Sequence, residues 1–253
     1  MKFFDCNTYI GRPKNAGVFS PVTAKALLAK MDEVGIDRAL VWHIAQSEFD
    51  PVTGNAMLAE AIAPHKRLIG CWSFLPTSTG ELGDLDAWLA RAGAARVRAL
   101  RAWTGVIGFG QRFLLRAEVV GEILEAMIAR RVPFLWTKVE QREWNDIYDL
   151  LRDFPELTVI LCNVGAWGPD RLVRPLIEKY PNVYVELSGY SVDGGIESFV
   201  ERYGPDRLIF GSAFPEAYHE SAMFMLAHSE IDDDAKLAIA SGNLERLLEA
   251  VEL

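Results

Sequence analysis

Cysteine and basic residues are scarce in this chain of 253 residues. The three cysteines (Cys6, Cys71 and Cys162) form no CxxC pair and no disulfide framework, and each lies in an apolar run where a small core residue is expected. The 26 Lys and Arg residues are outnumbered by 35 Asp and Glu residues, so the net charge is −9. Because contacts with a phosphate backbone need a basic face, the sequence predicts no nucleic-acid partner.

Long hydrophobic runs are also absent. No apolar run approaches the ~20 residues that cross a bilayer. Asp5 lies where a signal peptide would need an apolar stretch of about seven residues. We therefore expect a cytoplasmic protein with no membrane partner.

No Pro-, Gly- or Ser-rich linker interrupts the chain, so a single domain over residues 1–253 is expected.

Short apolar runs alternate with longer segments of helical period from one end of the chain to the other. The runs resemble strands buried on both faces, as parallel sheets require. They are Phe3–Cys6, Ala39–Trp42, Leu68–Phe74, Val97–Leu100, Phe134–Thr137, Val159–Cys162, Val183–Leu187 and Leu208–Phe210. Eight β-α units predict an α/β fold, a single (β/α)8 barrel of the TIM type, with an open doubly wound sheet as the alternative.

The helix candidates have recognisable ends. Val22–Val34 is followed by Gly35, a common residue at helix C-termini, and Asp84 can cap the next residues. Asp50 precedes a proline that opens another helix. A last helix is predicted over Asn243–Val251, beyond the eighth unit.

Six short segments, spread over nearly the whole chain, carry recognisable motifs. They are Asp5–Gly11, Val132–Thr137, Ile160–Gly165, Tyr184–Gly189, Arg207–Pro215 and Gly242–Leu248. Together they resemble the amidohydrolase-related family: in order, they look like its D-x-H-x-H-x-G opening, its fifth-strand and sixth-strand histidine patterns, its seventh strand, its G-S-D-x-P pattern and its closing G-N-x-x-R-L-L helix. The resemblance implies a barrel whose active site lies at the C-terminal ends of the strands.

The family's metal-ligand positions are replaced in this chain. In the family, four histidines and one aspartate surround one or two metal ions; here these positions read Asn7, Tyr9, Thr137, Asn163 and Ala213. Catalytic zinc needs about three imidazole, thiolate or carboxylate ligands. Neutral Asn and Thr oxygens are weak donors, and nothing nearby favours a tyrosinate. We therefore expect no metal and no other cofactor.

The polar replacements still point, by the resemblance, at the mouth of the barrel. Asn7, Tyr9, Thr137 and Asn163 can either contact a small oxygenated ligand or bond one another and buried water in a vacated site.

Two residues are candidate catalytic groups. His43 follows the second strand and could act as a general base, or it could be a satisfied core histidine. Glu186 lies in an apolar run, where burial would raise its pKa and suit it to acid–base work, unless it pairs with a neighbouring cation. His219 could also reach the mouth, whereas His65 and His228 are expected in solvent.

Further candidates concern the ligand. Arg101 ends the fourth strand and could hold a substrate carboxylate, with Lys138 a weaker candidate by strand parity. The segment from Trp103 to Gly110 could form a lid. An aromatic pocket at the strand ends could draw on Trp42, Trp72, Trp103, Trp136 and Trp167, although packing between strands and helices explains Trp136 better.

Two functional hypotheses follow. The first is metal-independent hydrolysis of a small carboxylated lactone or ester, or a related decarboxylation. Arg101 would hold the carboxylate and His43 or Glu186 would activate water, while an oxyanion would be stabilised by Asn7, Tyr9 and Asn163. The alternative is a binding protein that keeps the pocket and has lost the reaction, as Ala213 suggests. Related barrels often form dimers, so a homodimer is a candidate assembly.

Overall fold

A computed structural model describes residues 1–14, 22–104, 113–137, 144–165 and 168–253. Eight strands form one sheet, in which each strand pairs in parallel with the next in the sequence. The strands are β1 (Phe3–Ile10), β2 (Ile36–His43), β3 (Leu68–Ser73), β4 (Val97–Arg101), β5 (Phe134–Thr137), β6 (Val159–Cys162), β7 (Val183–Glu186) and β8 (Leu208–Ile209).

The helices lie between the strands and after the last one. They are α1 (Ala24–Val34), α2 (Ala45–Glu48), α3 (Pro51–Ile62), α4 (Leu85–Ala94), α5 (Ala117–Ala129), α6 (Trp144–Asp153), α7 (Asp170–Lys179), α8 (Gly195–Tyr203), α9 (His219–His228), α10 (Asp233–Leu237) and α11 (Asn243–Glu249). A π-helical turn joins the last two.

The sheet closes on itself between β1 and the segment that follows β8. Thr8 forms a parallel bridge with Phe214, and the Tyr9 N–H donates to the Phe214 carbonyl at 3.2 Å. Nearer the N-terminal ends of the strands, the Cys6 N–H donates to the Phe210 carbonyl at 3.0 Å. This order and closure confirm the (β/α)8 barrel and exclude the doubly wound sheet.

The predicted helix ends are also confirmed where a capping side chain marks them. The Asp84 carboxylate accepts the Ala87 N–H at 2.8 Å, and Gly35 ends α1 in a left-handed conformation with a φ of 84°. Strand β1 runs to Ile10, four residues beyond its predicted end at Cys6. The apolar pattern stops at Asn7 because the strand continues into the polar mouth of the barrel.

Two buried clusters fill the two sides of the sheet. The larger one lies between the strands and the helices, and the smaller one fills the barrel interior with alternate strand residues such as Phe4, Leu40 and Ile160. Leu244 and Leu248 of α11 join the interior cluster. The C-terminal helix predicted from the sequence therefore covers the N-terminal end of the barrel.

None of the helices in the described ranges is long and apolar enough to span a membrane. Three of the sequence predictions lie outside the described residues: the part of the lid candidate from Gly105 to Gly110, Lys138, and Trp167.

Candidate active site

A pocket of about 260 Å³ opens at the C-terminal end of the barrel. Its walls include all five positions at which the family has metal ligands. These positions lie far apart in the sequence, but they meet in space because the C-terminal ends of the parallel strands converge. The lining residues are Asn7, Tyr9, Trp42, Ile44, Ser47, Glu48, Arg101, Trp103, Thr137, Asn163, Ala213, Phe214 and Glu216. The six residues predicted to bind a ligand are all in this set.

Arg101 lies at the buried end of the pocket, with 1% of its surface exposed. Its guanidinium lies over the rings of Trp42 at 4.5 Å and Trp103 at 4.3 Å, and Nη2 donates to Thr137 Oγ1 at 2.8 Å. Among the described residues, Nη1 has no hydrogen-bond partner and no carboxylate forms a salt bridge with this side chain. Burial lowers the pKa of Arg101, but a guanidinium stays charged at neutral pH. The pocket therefore contains a buried cation with a free donor.

Asn7 of β1 and Asn163, which directly follows β6, lie together in the floor of the pocket. Asn7 Nδ2 donates to Asn163 Oδ1 at 2.9 Å and to Glu186 Oε2 at 3.5 Å. Asn163 has a φ of 56°, a left-handed conformation that asparagine tolerates better than most residues. The two amides are thus held by each other and by the carboxylate below them.

Tyr9 adds a hydroxyl to the wall. Burial, together with the nearby charges of Glu216 and Glu48, raises the pKa of Tyr9 to about 12. The side chain therefore stays protonated and can donate a hydrogen bond to an oxygen of a ligand.

The residues at the family's metal positions do not fit a metal ion. Asn7 directs its NH2 group across the floor of the pocket, Ala213 has no donor atom, and the charge of Arg101 would repel a cation there. Throughout the described ranges, no group of three or more His, Cys, Asp or Glu residues could hold a metal.

The two residues predicted to be catalytic lie outside the pocket wall. His43 is 8% exposed, and its Nδ1 accepts the Ala45 N–H at 3.1 Å, so the ring turns back onto the start of α2. Burial lowers the pKa of His43, which keeps the ring neutral. As a general base His43 stays a prediction, and it is not among the described residues that line the pocket.

Glu186 is completely buried beneath the pocket floor. Besides Asn7, it accepts hydrogen bonds from the Asn163 N–H at 3.1 Å, from Ser188 Oγ at 2.8 Å and from the Ser188 N–H. Burial raises its pKa, and these donors oppose that shift. No neighbouring cation pairs with it in the described structure, contrary to the alternative considered for this residue.

His219 does not reach the mouth either. It is fully buried, stacks on Phe214 with ring centroids 3.9 Å apart, and lies with Nε2 3.6 Å from Asp5 Oδ2. Asp5 also accepts hydrogen bonds from the Asn7 and Ser212 N–H groups, both at 3.0 Å. This cluster joins β1 to the end of β8 under the pocket.

The tryptophans divide into two groups. Trp42 and Trp103 line the pocket with ring centroids 4.6 Å apart. Trp72 packs on Trp88 at 5.5 Å and Trp136 packs on Trp144 at 5.5 Å, both between the strands and the outer helices. Packing therefore explains Trp136, as the sequence indicated, and also Trp72.

Two carboxylates among the described residues lie at the pocket rim; the sequence reasoning assigned no role to Glu48 and left open whether Glu216 reaches the pocket. Glu48 ends α2, and its Oε2 accepts the Lys14 N–H at 2.7 Å. Glu216 lies in the turn after β8, three residues beyond Ala213, and that spacing is the sequence signal that could have identified it.

The family model for amidohydrolases (Amidohydro_2) matches residues 15–249. The chain therefore belongs to this amidohydrolase family, as the resemblance of its strand-end motifs indicated. A comparison with curated protein sequences finds no significant match.

Solved structures share the fold at low identity. A 5-carboxyvanillate decarboxylase from Sphingomonas paucimobilis is 15% identical, with 99% of each chain covered and a TM-score of 0.72. A 2,6-dihydroxybenzoate decarboxylase from Rhizobium is 14% identical over 98% of this chain and 99% of that one, with a TM-score of 0.74. A probable 2-pyrone-4,6-dicarboxylic acid hydrolase from Acinetobacter baumannii, with citric acid bound, is 15% identical over 98% of this chain and 100% of that one, with a TM-score of 0.71.

Proposed function

We propose that this protein binds a small carboxylate at Arg101 and hydrolyses a carboxylated lactone or ester without a metal in the family's position. The observation that carries the proposal is the buried guanidinium, which lines the pocket and whose Nη1 has no partner in the part of the chain that the structure describes. A buried donor without a partner costs about 1–3 kcal/mol, and more when charged, so a bound anion would stabilise it. A carboxylate fits the planar pair of N–H donors that a guanidinium presents.

The rest of the pocket supports a small planar acid. Trp42 and Trp103 present aromatic surface beside the guanidinium. A cavity of about 260 Å³ suits a ligand the size of one substituted ring. Two structural relatives, named for 2-pyrone-4,6-dicarboxylic acid and for 2,6-dihydroxybenzoate, support the same substrate class. Because the relative named for 2,6-dihydroxybenzoate is a decarboxylase, decarboxylation remains the related alternative reaction.

The amides and the tyrosine would stabilise the reacting carbonyl group. With the carboxylate on Arg101, the carbonyl oxygen would face Asn163 and Tyr9, whose side chains can donate hydrogen bonds. Donors fixed in a partly dry site are worth most when negative charge develops on that oxygen. Asn7 is engaged with Asn163 and Glu186, so its role is to orient Asn163.

A second candidate function is binding without turnover. It is favoured by the methyl group of Ala213 at the family's aspartate position and by the absence of His43 and Glu186 from the pocket wall. Turnover of a lactone or ester panel distinguishes the two functions. Hydrolysis that persists after chelation supports the enzyme, and binding of carboxylates with no turnover supports the binding protein.

The Arg101→Met variant tests the carboxylate site. Removing one partner of a buried charge pair costs about 2–5 kcal/mol, so the Kd for 2-pyrone-4,6-dicarboxylate or benzoate should rise by about 30-fold or more. Isothermal titration calorimetry measures this Kd. Arg98→Met is the matched control, because Arg98 lies on the same strand and bonds backbone carbonyls away from the pocket.

Two results would contradict the proposal. One is equal carboxylate affinity in the wild type and Arg101→Met. The other is stoichiometric zinc, manganese or iron in the purified protein together with turnover that is lost on chelation.

A further inference from the structure

Among the described residues that line the pocket, one carboxylate has no partner within the protein. Glu216 lines the pocket, and no hydrogen bond or salt bridge joins its carboxylate to another described residue. The other acids at this end of the barrel differ. Asp5 and Glu186 are fully buried and accept several hydrogen bonds each, and Glu48 is held by the Lys14 N–H. Of the described acids at this end of the barrel, Glu216 is therefore the one that remains available to a ligand or a water molecule.

The local backbone brings Glu216 back to the strand end where the family's aspartate is missing. The Glu216 N–H donates to the Ala213 carbonyl at 2.9 Å, which closes a tight turn that begins four residues after the end of β8. In such a turn the first and fourth Cα atoms lie within about 7 Å of each other. The longer glutamate side chain can thus enter the pocket from the same side as a side chain at residue 213.

The surroundings of Glu216 act on its carboxyl in two opposing ways. Partial burial of the carboxyl at the pocket rim raises the pKa of Glu216, although the residue as a whole is exposed, and the nearby charge of Arg101 opposes that shift. The other titratable groups facing this part of the pocket, among the described residues, are Tyr9 and Glu48. A carboxylate with a raised pKa is a better base than one with an ordinary value.

We infer that Glu216 is the general base of the proposed hydrolysis, in place of the carboxylate that is missing at residue 213. This inference rests on the proposed function. Glu216 removes a proton from a water molecule while the water oxygen attacks the carbonyl carbon, and the carbonyl π electrons move to its oxygen. When the tetrahedral intermediate collapses, the ring or ester C–O bond breaks. The leaving oxygen takes the proton from Glu216, so lactone and water give a hydroxy acid.

The Glu216→Gln variant tests this assignment on the intact protein. With a panel of carboxylated lactones and esters, including 2-pyrone-4,6-dicarboxylate, we expect kcat to fall by about 100-fold or more with KM unchanged. The limb of the pH–kcat profile that falls toward acid should disappear. Glu220→Gln is the matched control, because Glu220 carries the same charge, lies four residues away on α9 and pairs with Lys30 on the surface.

The outcomes are separable from those of the proposed function. If the Glu216→Gln variant keeps the wild-type kcat, Glu216 is not the general base, but the proposed hydrolase function is unaffected. Equal losses in Glu216→Gln and Glu48→Gln would indicate a general charge effect and also overturn it. A folded wild type that binds carboxylates and turns over none of the panel overturns both proposals. A failure of binding in Arg101→Met with normal binding in Glu216→Gln is the expected pattern.

Discussion

Two residues at the mouth of the barrel adopt left-handed backbone conformations although neither is glycine. They are Asn163, with a φ of 56°, and Ala213, with a φ of 55°. Asparagine can offset the steric cost by local hydrogen bonding, but alanine cannot. Ala213 therefore retains strain at a position where the family has an aspartate, a residue that tolerates this conformation better.

Replacing Ala213 with glycine should release this strain. A left-handed L-residue costs about 1–2 kcal/mol, and the extra entropy of unfolded glycine offsets about 0.5–1 kcal/mol of the gain. We expect Ala213→Gly to raise the free energy of unfolding by about 0.5–1 kcal/mol in urea denaturation. Ala56→Gly, in the exposed face of α3, is the control and should lower it by about 1 kcal/mol. If Ala213→Gly and Ala56→Gly both lowered the free energy of unfolding, this would contradict the inference that the backbone at Ala213 is strained.

At the scale of elements, Glu186 joins three strands under the pocket. It lies at the end of β7 and accepts hydrogen bonds from Asn7 on β1 and from Asn163 directly after β6. Gly211, just after β8, leaves the space that this side chain occupies. A Cβ at Gly211 would lie 2.5 Å from Glu186 Cγ and 2.6 Å from Cδ. The end of β8 can therefore approach β7 this closely only without a side chain.

Gly211→Ala should displace Glu186 and weaken the contacts between these strands. Overpacking of a tight interior typically costs about 1–3 kcal/mol, and we expect that loss in the free energy of unfolding. Gly121→Ala is a matched control within α5, where the nearest atom to an added Cβ is Phe154 Cζ at 3.7 Å. The control should gain about 1 kcal/mol from helix propensity. If Gly211→Ala were as stable as the wild type, this would contradict the claim that Gly211 leaves the space that the Glu186 side chain occupies.

At the scale of the whole molecule, the seam that closes the barrel contains a buried acid and a buried base. Burial raises the pKa of Asp5 to about 7 and lowers the pKa of His219 to about 4, against unfolded values of 3.8 and 6.5. Between pH 4 and 6.5 the pair carries one proton in the folded state and one in the unfolded state. Stability rises with pH only where the unfolded state binds more protons, so the pair adds no net slope there.

Single substitutions should expose the two opposing slopes. Asp5→Asn removes the acid that binds its proton more tightly when folded, so stability relative to the wild type should rise by a few kcal/mol from about pH 4 to 7. His219→Phe removes the histidine that is protonated mainly when unfolded, so stability relative to the wild type should fall as the pH rises from about 4 to 6.5.

Urea denaturation of both variants and the wild type at several pH values measures these slopes. Differences from the wild type remove the contribution of other groups such as Glu186. Flat differences for both variants would show that neither buried group changes its protonation on folding.

The alternation of apolar runs and helical segments determined the barrel. The strand-end motifs also determined which residues meet at its mouth: Asn7, Tyr9, Thr137, Asn163 and Ala213 all line one pocket. This inference needs no contact information, because the C-terminal ends of eight parallel strands must converge at one end of a closed barrel.

Only the tertiary structure decided which charged side chains face that pocket. Packing turns His43 onto α2 and places Glu186 among hydrogen-bond donors below the floor. The turn after Ala213 brings Glu216 to the pocket, and the environment of Arg101 leaves its guanidinium buried without a described counterion. These facts depend on side-chain rotation and on contacts between residues distant in the sequence, and periodicity carries no information about either.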